Sequence, residues 1–80
     1  MENKIAVVAI IVSDIDAVDK INSLLHDFGA YIIGRLGIPY KEKKVNVISV
    51  VMDAPQETIN SLSGKLGMVK GVTSKVLTTK

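Results

Sequence analysis

The sequence predicts an α+β domain in the order β-α-β-β-α-β, with a four-stranded antiparallel sheet carrying both helices on one face. Three observations point there. Apolar residues run in short β-branched stretches, the apolar spacing changes twice to steps of three and four, and each change is led by an aspartate.

The first strand is expected over Ile5 to Val12, eight consecutive apolar residues that read as buried on both faces. Ser13-Asp14-Ile15-Asp16 then offers side-chain oxygens to the free N–H groups of a helix start. From Asp16, Val18, Ile21, Leu25 and Phe28 recur at helical spacing, and Gly29 stands where a left-handed residue would end the helix. Tyr31 to Ile33 and Leu36 to Ile38 predict a second strand, interrupted at Gly34 and Gly37. Pro39 and the charged stretch Lys41 to Lys44 predict the hairpin connection.

Strand three is expected over Val45 to Met52, with Val45, Val47 and Val51 on one face and Ile48, Val50 and Met52 on the other. Asp53-Ala54-Pro55-Gln56 then resembles a second helix start: a capping acid, a proline in the first turn and a glutamine three residues after the acid. Ile59, Leu62, Leu66 and Val69 keep helical spacing through a segment that Gly64 and Gly67 weaken by about 1 kcal/mol each relative to alanine. Gly71 punctuates, and Val72 to Thr78 forms the last strand. The two halves make a weak internal repeat, and the order is that of a ferredoxin-like split βαβ fold spanning residues 1–80 as one domain.

At 80 residues the chain sits near the small end of what one core supports, burying roughly 60% of its unfolded surface. The usual reinforcements are disulfides, a metal or oligomerisation. With no cysteine and one histidine, self-association is the remedy left. The fold itself asks for it: two helices cover one sheet face, whereas strands one and three put Val, Ile or Ala on both. The longest apolar run is far short of the roughly 20 residues of a membrane-spanning helix, and no cleavage-site pattern follows it. A cytoplasmic location is expected. A formal net charge of +2 is too small to imply a nucleic-acid or membrane surface.

Side chains that could carry chemistry are few. His26 lies off the apolar stripe of helix one, and Asn22 and Ala30, four residues either side, give a catalytic base nothing to work with. Asp14, Asp16 and Asp19 cluster where acids favour a helix N-terminus. Lys41, Lys43 and Lys44 make a basic hairpin tip beside Tyr40, which could meet phosphate, but Glu42 breaks the patch. Ser61 to Gly67 lacks phosphate-loop spacing and falls inside an amphipathic helix. No catalytic triad, carboxylate pair or nucleotide fingerprint occurs, so no enzymatic activity and no cofactor are expected.

Leu24-Leu25-His26-Asp27-Phe28, Arg35-Leu36-Gly37-Ile38-Pro39, Leu62-Ser63-Gly64-Lys65-Leu66-Gly67 and Gly71-Val72 resemble one small family over nearly the whole chain. It is the family of stand-alone regulators of the iron-only hydrogenase system, similar in fold to ACT domains and to the C-terminal domain of nickel-responsive repressors. The resemblance implies a homodimer or homotetramer acting on transcription or assembly through a small-molecule effector or protein partner. It directs attention to His26, Arg35, Ser63, Gly64 and Lys65 as ligand-binding residues. Two departures limit it: Ser13 to Asp16 contains no glycine, unlike many ligand-binding ACT turns, and one histidine without cysteine cannot rebuild the repressors' nickel site. Two alternatives stay open, direct DNA binding through Lys41, Lys43 and Lys44, and metal sensing with His26 at an intersubunit site.

Overall fold

A computed structural model of the chain describes residues 2–79. Its elements are β1 (Asn3–Val12), α1 (Val18–Asp27), β2 (Ile32–Tyr40), β3 (Val45–Pro55), α2 (Gln56–Gly67) and β4 (Val72–Thr78), with single 3-10 turns at Ile15–Ala17, Gly29–Tyr31 and Lys41–Lys43. The four strands form one antiparallel sheet in the order β2-β3-β1-β4, which is the ferredoxin-like arrangement expected. Eleven-residue β3 rises about 3.4 Å per residue, so it runs most of the 41 Å length of the molecule.

One core lies between the sheet and the helices. Ala6, Val8, Ile10 and Val12 of β1 and Ile48, Val50, Met52 and Ala54 of β3 meet Ile21 and Leu25 of α1 and Ile59, Leu62 and Leu66 of α2. It is aliphatic as composition required, with Phe28 the one buried aromatic. Each of the Val, Ile, Leu, Met and Phe side chains among them is worth about 1.5–3 kcal/mol if fully removed from water.

Several local expectations give way to a stronger competitor. β1 is buried on one face only; Ile5, Val7, Ala9 and Ile11 are exposed, because a two-helix layer leaves the far face bare. Gly29 is not a left-handed cap: the chain passes from Phe28 (φ −98°, ψ 12°) into the 3-10 turn, and among the described residues positive φ occurs at Lys44 and Gly71. β2 runs unbroken from Ile32 to Tyr40, with a bulge between Ile32 and Gly34 and with Pro39 inside it, which an edge strand tolerates.

The second helix start is the clearest correction. Asp53 and Ala54 belong to β3, opposite Ile5 and Lys4, and Pro55 is the helix N-cap with no side-chain cap bond. Gln56 turns forward, its Nε2 donating to Asn60 Oδ1 at 2.9 Å. Three further rungs of sheet outweigh one capping bond. At the first start Asp14 does cap, but it caps the 3-10 turn that leads into α1. Its Oδ1 accepts from the Asp16 N–H at 3.0 Å, while Ala17, the N-cap of α1 itself, makes no side-chain cap bond.

Candidate functional site

Strand alternation builds the most prominent surface. Reading across β2, β3, β1 and β4, the residues that face away from the helices align in rows: Ile38, Val47, Ile11, Thr73; then Leu36, Ser49, Ala9, Lys75; then Gly34, Val51, Val7, Leu77. The large apolar members Leu36, Ile38, Val47, Val7, Ile11 and Leu77 are between 37% and 73% exposed, and Ile5 extends the patch. The middle row is low at its centre, where Ser49 and Ala9 sit between two apolar ridges. A contiguous apolar surface with a shallow trough is the form of a protein-contact face.

The residues singled out from sequence are placed on the opposite side. Arg35 is on β2 in the row of Val50, and its Nη2 donates to Asn22 Oδ1 on α1 at 3.0 Å. His26 is exposed, one turn beyond Asn22 on α1. Ser63, Gly64 and Lys65 lie within α2, as the amphipathic reading required, and Lys65 Nζ sits 5.4 Å from the centre of the Phe28 ring. That contact ties α2 to the end of α1 two residues past His26. A Cβ built on Gly64 or Gly67 would meet nothing within 4 Å, so these glycines do not serve close packing within the chain.

Lys41, Lys43 and Lys44 are exposed at the hairpin, where the Tyr40 hydroxyl donates to Glu42 Oε2 at 3.1 Å. Among the described residues, no group of three or more His, Cys, Asp or Glu side chains is placed to hold a metal ion. No helix of the described chain is long and apolar enough to cross a membrane.

Sequence reasoning missed a cavity of about 840 Å³ at one end of the sheet. Its walls are the β1–α1 connection at Ser13 to Ile15, the hairpin from Pro39 to Asn46, and the α2–β4 connection at Lys70 and Gly71. The first and third walls are joined: the Ser13 N–H and Oγ–H both donate to the Gly71 carbonyl, at 2.8 and 3.1 Å. Three segments this far apart in sequence share no motif.

Similarity to known proteins follows this geometry. The solved structure of the uncharacterized protein TM1266 from Thermotoga maritima matches with a TM-score of 0.94 and 35% identity, covering 99% of this chain and 100% of that one. A formyltetrahydrofolate deformylase from Pseudomonas putida KT2440 matches at 0.60 and 14% identity, over 92% of this chain but 28% of its own, and shows the fold alone. The de novo designed protein Foldit4 does likewise at 0.59 and 18% identity, with 99% and 98% coverage. No curated protein matches. A family model described as "Iron-only hydrogenase system regulator, putative" matches residues 4–76. By that match and by its likeness to the Thermotoga maritima protein, the chain belongs to the TM1266-like family of iron-only hydrogenase system regulators.

Proposed function

We propose that the chain is a non-enzymatic, cytoplasmic regulatory module of the iron-only hydrogenase system, and that it acts as a homo-oligomer whose copies meet through the open sheet face. The observation that carries this reading is the apolar surface of Leu36, Ile38, Val47, Val7, Ile11 and Leu77, which the chain's own helices leave bare.

Burial is set against the cost of association. Covering half-exposed Val, Leu and Ile side chains gains about 1 kcal/mol each, so two copies of the patch gain on the order of 10 kcal/mol, against roughly 4–15 kcal/mol for lost rigid-body freedom. At the low end of that cost about 6 kcal/mol remains, a Kd on the order of tens of micromolar, and a contact this weak can be shifted by a ligand or a partner protein. The regulatory part of the reading is supported by family membership, and action by binding is supported by a chain whose one imidazole stands on an exposed helix surface.

The test is complementation in the host. Cells lacking the chain should show altered iron-only hydrogenase levels, restored by the wild type and not by Ile11→Lys, which places a charge on the apolar face. Unchanged hydrogenase levels on deletion would contradict the regulatory role. Restoration by Ile11→Lys would contradict the role of the face.

A further inference from the structure

We propose that the cavity at the end of the sheet binds a small phosphate monoester carrying a planar apolar body. This goes beyond the regulatory reading and does not depend on association: the cavity is complete in one copy of the chain.

Size and rigidity come first. About 840 Å³ lies within the roughly 300–1,000 Å³ of small-molecule sites. Two of its walls are clamped together by the paired donation of Ser13 to the Gly71 carbonyl, and Asp14 is locked by its own cap bond to Asp16 and by the Ala17 N–H, which donates to the Asp14 carbonyl at 2.9 Å. The third wall is the end of the β2–β3 ladder, where Tyr40 faces Val45 and Pro39 faces Asn46. A site whose walls are held by the fold loses little entropy on binding.

Charge sets the ligand class. The residues that line it include three lysines, Lys41, Lys44 and Lys70, against one acid, Asp14. That surplus of two positive charges equals the formal net charge of the whole chain, so the remaining surface is balanced and the excess is gathered at this cavity. A phosphate monoester carries about −1.5 to −2 at pH 7, which matches the surplus. Lysines serve phosphate as mobile point charges, whereas planar carboxylates are better met by the arginine fork. Lys44 also holds φ 54°, a left-handed backbone that glycine or asparagine adopts more easily. Lys44 thus brings a charge to a position whose backbone would suit glycine or asparagine better.

The apolar body is argued from Ile15 and Tyr40. Ile15 is 81% exposed at the rim of the cavity, away from the core, and Tyr40 has its hydroxyl tied to Glu42 at 3.1 Å. An aromatic ring in the same lining as a bare isoleucine and Pro39 offers a surface on which a planar group can stack.

The experiment titrates the uniformly 15N-labelled full chain with AMP, adenosine, inorganic phosphate and phthalate while following backbone amide shifts. AMP should move the amides of residues 13–15, 40–46 and 70–71 saturably, with Kd at or below about 1 mM. Adenosine and inorganic phosphate should each bind at least about tenfold more weakly, as should AMP to the Lys44→Ala/Lys70→Ala double variant, whose amides elsewhere keep their positions. Shifts that are scattered or never saturate overturn the site. So does equal binding of AMP by the double variant. Adenosine as tight as AMP, or phthalate tighter at the same amides, overturns the phosphate assignment. Light scattering on the same samples reports association separately, so failure of one reading is distinguishable from failure of the other.

Discussion

Ser13 and Gly71 are fastened by two hydrogen bonds to a single carbonyl oxygen, the Ser13 N–H at 2.8 Å and its hydroxyl at 3.1 Å. The clamp joins the exit of β1 to the entry of β4, 58 residues apart, and depends on Gly71 having no side chain. Gly71 holds φ +82°, and a Cβ there would press into the Cβ of Asp14, with the Asp14 backbone N 3.3 Å away. Gly71→Ala should therefore cost about 1–3 kcal/mol of unfolding free energy. Urea denaturation measures it. A loss below half a kilocalorie (~0.5 kcal/mol) would show that the clamp relaxes freely.

The two aspartates that lead the helices should behave differently. Asp14→Ala removes the bond to the Asp16 N–H and should cost about 0.5–2 kcal/mol. Asp53→Ala touches an exposed strand position opposite Ile5 and should stay within about 0.5 kcal/mol of the wild type. Equal losses in denaturation midpoints would mean that Asp53 caps α2 in solution.

That contrast shows where sequence legibility stops. Element order was readable because apolar period reports local geometry, and both helix stripes fell on buried residues: Ile21 and Leu25, then Ile59, Leu62 and Leu66. Element ends were less so. Asp53-Ala54-Pro55 carries a sound capping pattern, yet β1 begins at Asn3 and offers Pro55, Ala54 and Asp53 a partner strand. Only the tertiary register decides that contest. The open face was legible as an excess of apolar residues on β1 and β3, whereas its extension through Leu36, Ile38 and Leu77 needed the strand order. The end cavity was invisible, since it exists only once three distant connections meet.

Neighbouring isoleucines on opposite faces give a matched pair. Ile10 is fully buried in the core and Ile11 is 47% exposed on the open face. Ile10→Ala should cost about 2–5 kcal/mol at any protein concentration. Ile11→Ala should cost less, and, on the proposed association through the open face, its loss should shrink as the protein is diluted. Thermal melts over a hundredfold concentration range separate the two. A concentration-independent loss at Ile11 equal to that at Ile10 would contradict the assignment of faces.

Arg35 and Asn22 should be coupled on the surface. Their 3.0 Å bond joins β2 to α1 in an exposed position, so Arg35→Ala and Asn22→Ala should each cost no more than about 1 kcal/mol, with the double variant little worse than either single one. Strict additivity in a double-mutant cycle would show that the bond does not persist in solution.

Association is tested most directly by sedimentation equilibrium of the wild type and of Ile11→Lys over micromolar to millimolar concentrations. The account predicts a wild type heavier than one 8.6 kDa chain, with a concentration-dependent mass, and an Ile11→Lys variant that sediments as a monomer with an unchanged circular dichroism spectrum. A wild type that stays at 8.6 kDa across that range would contradict it.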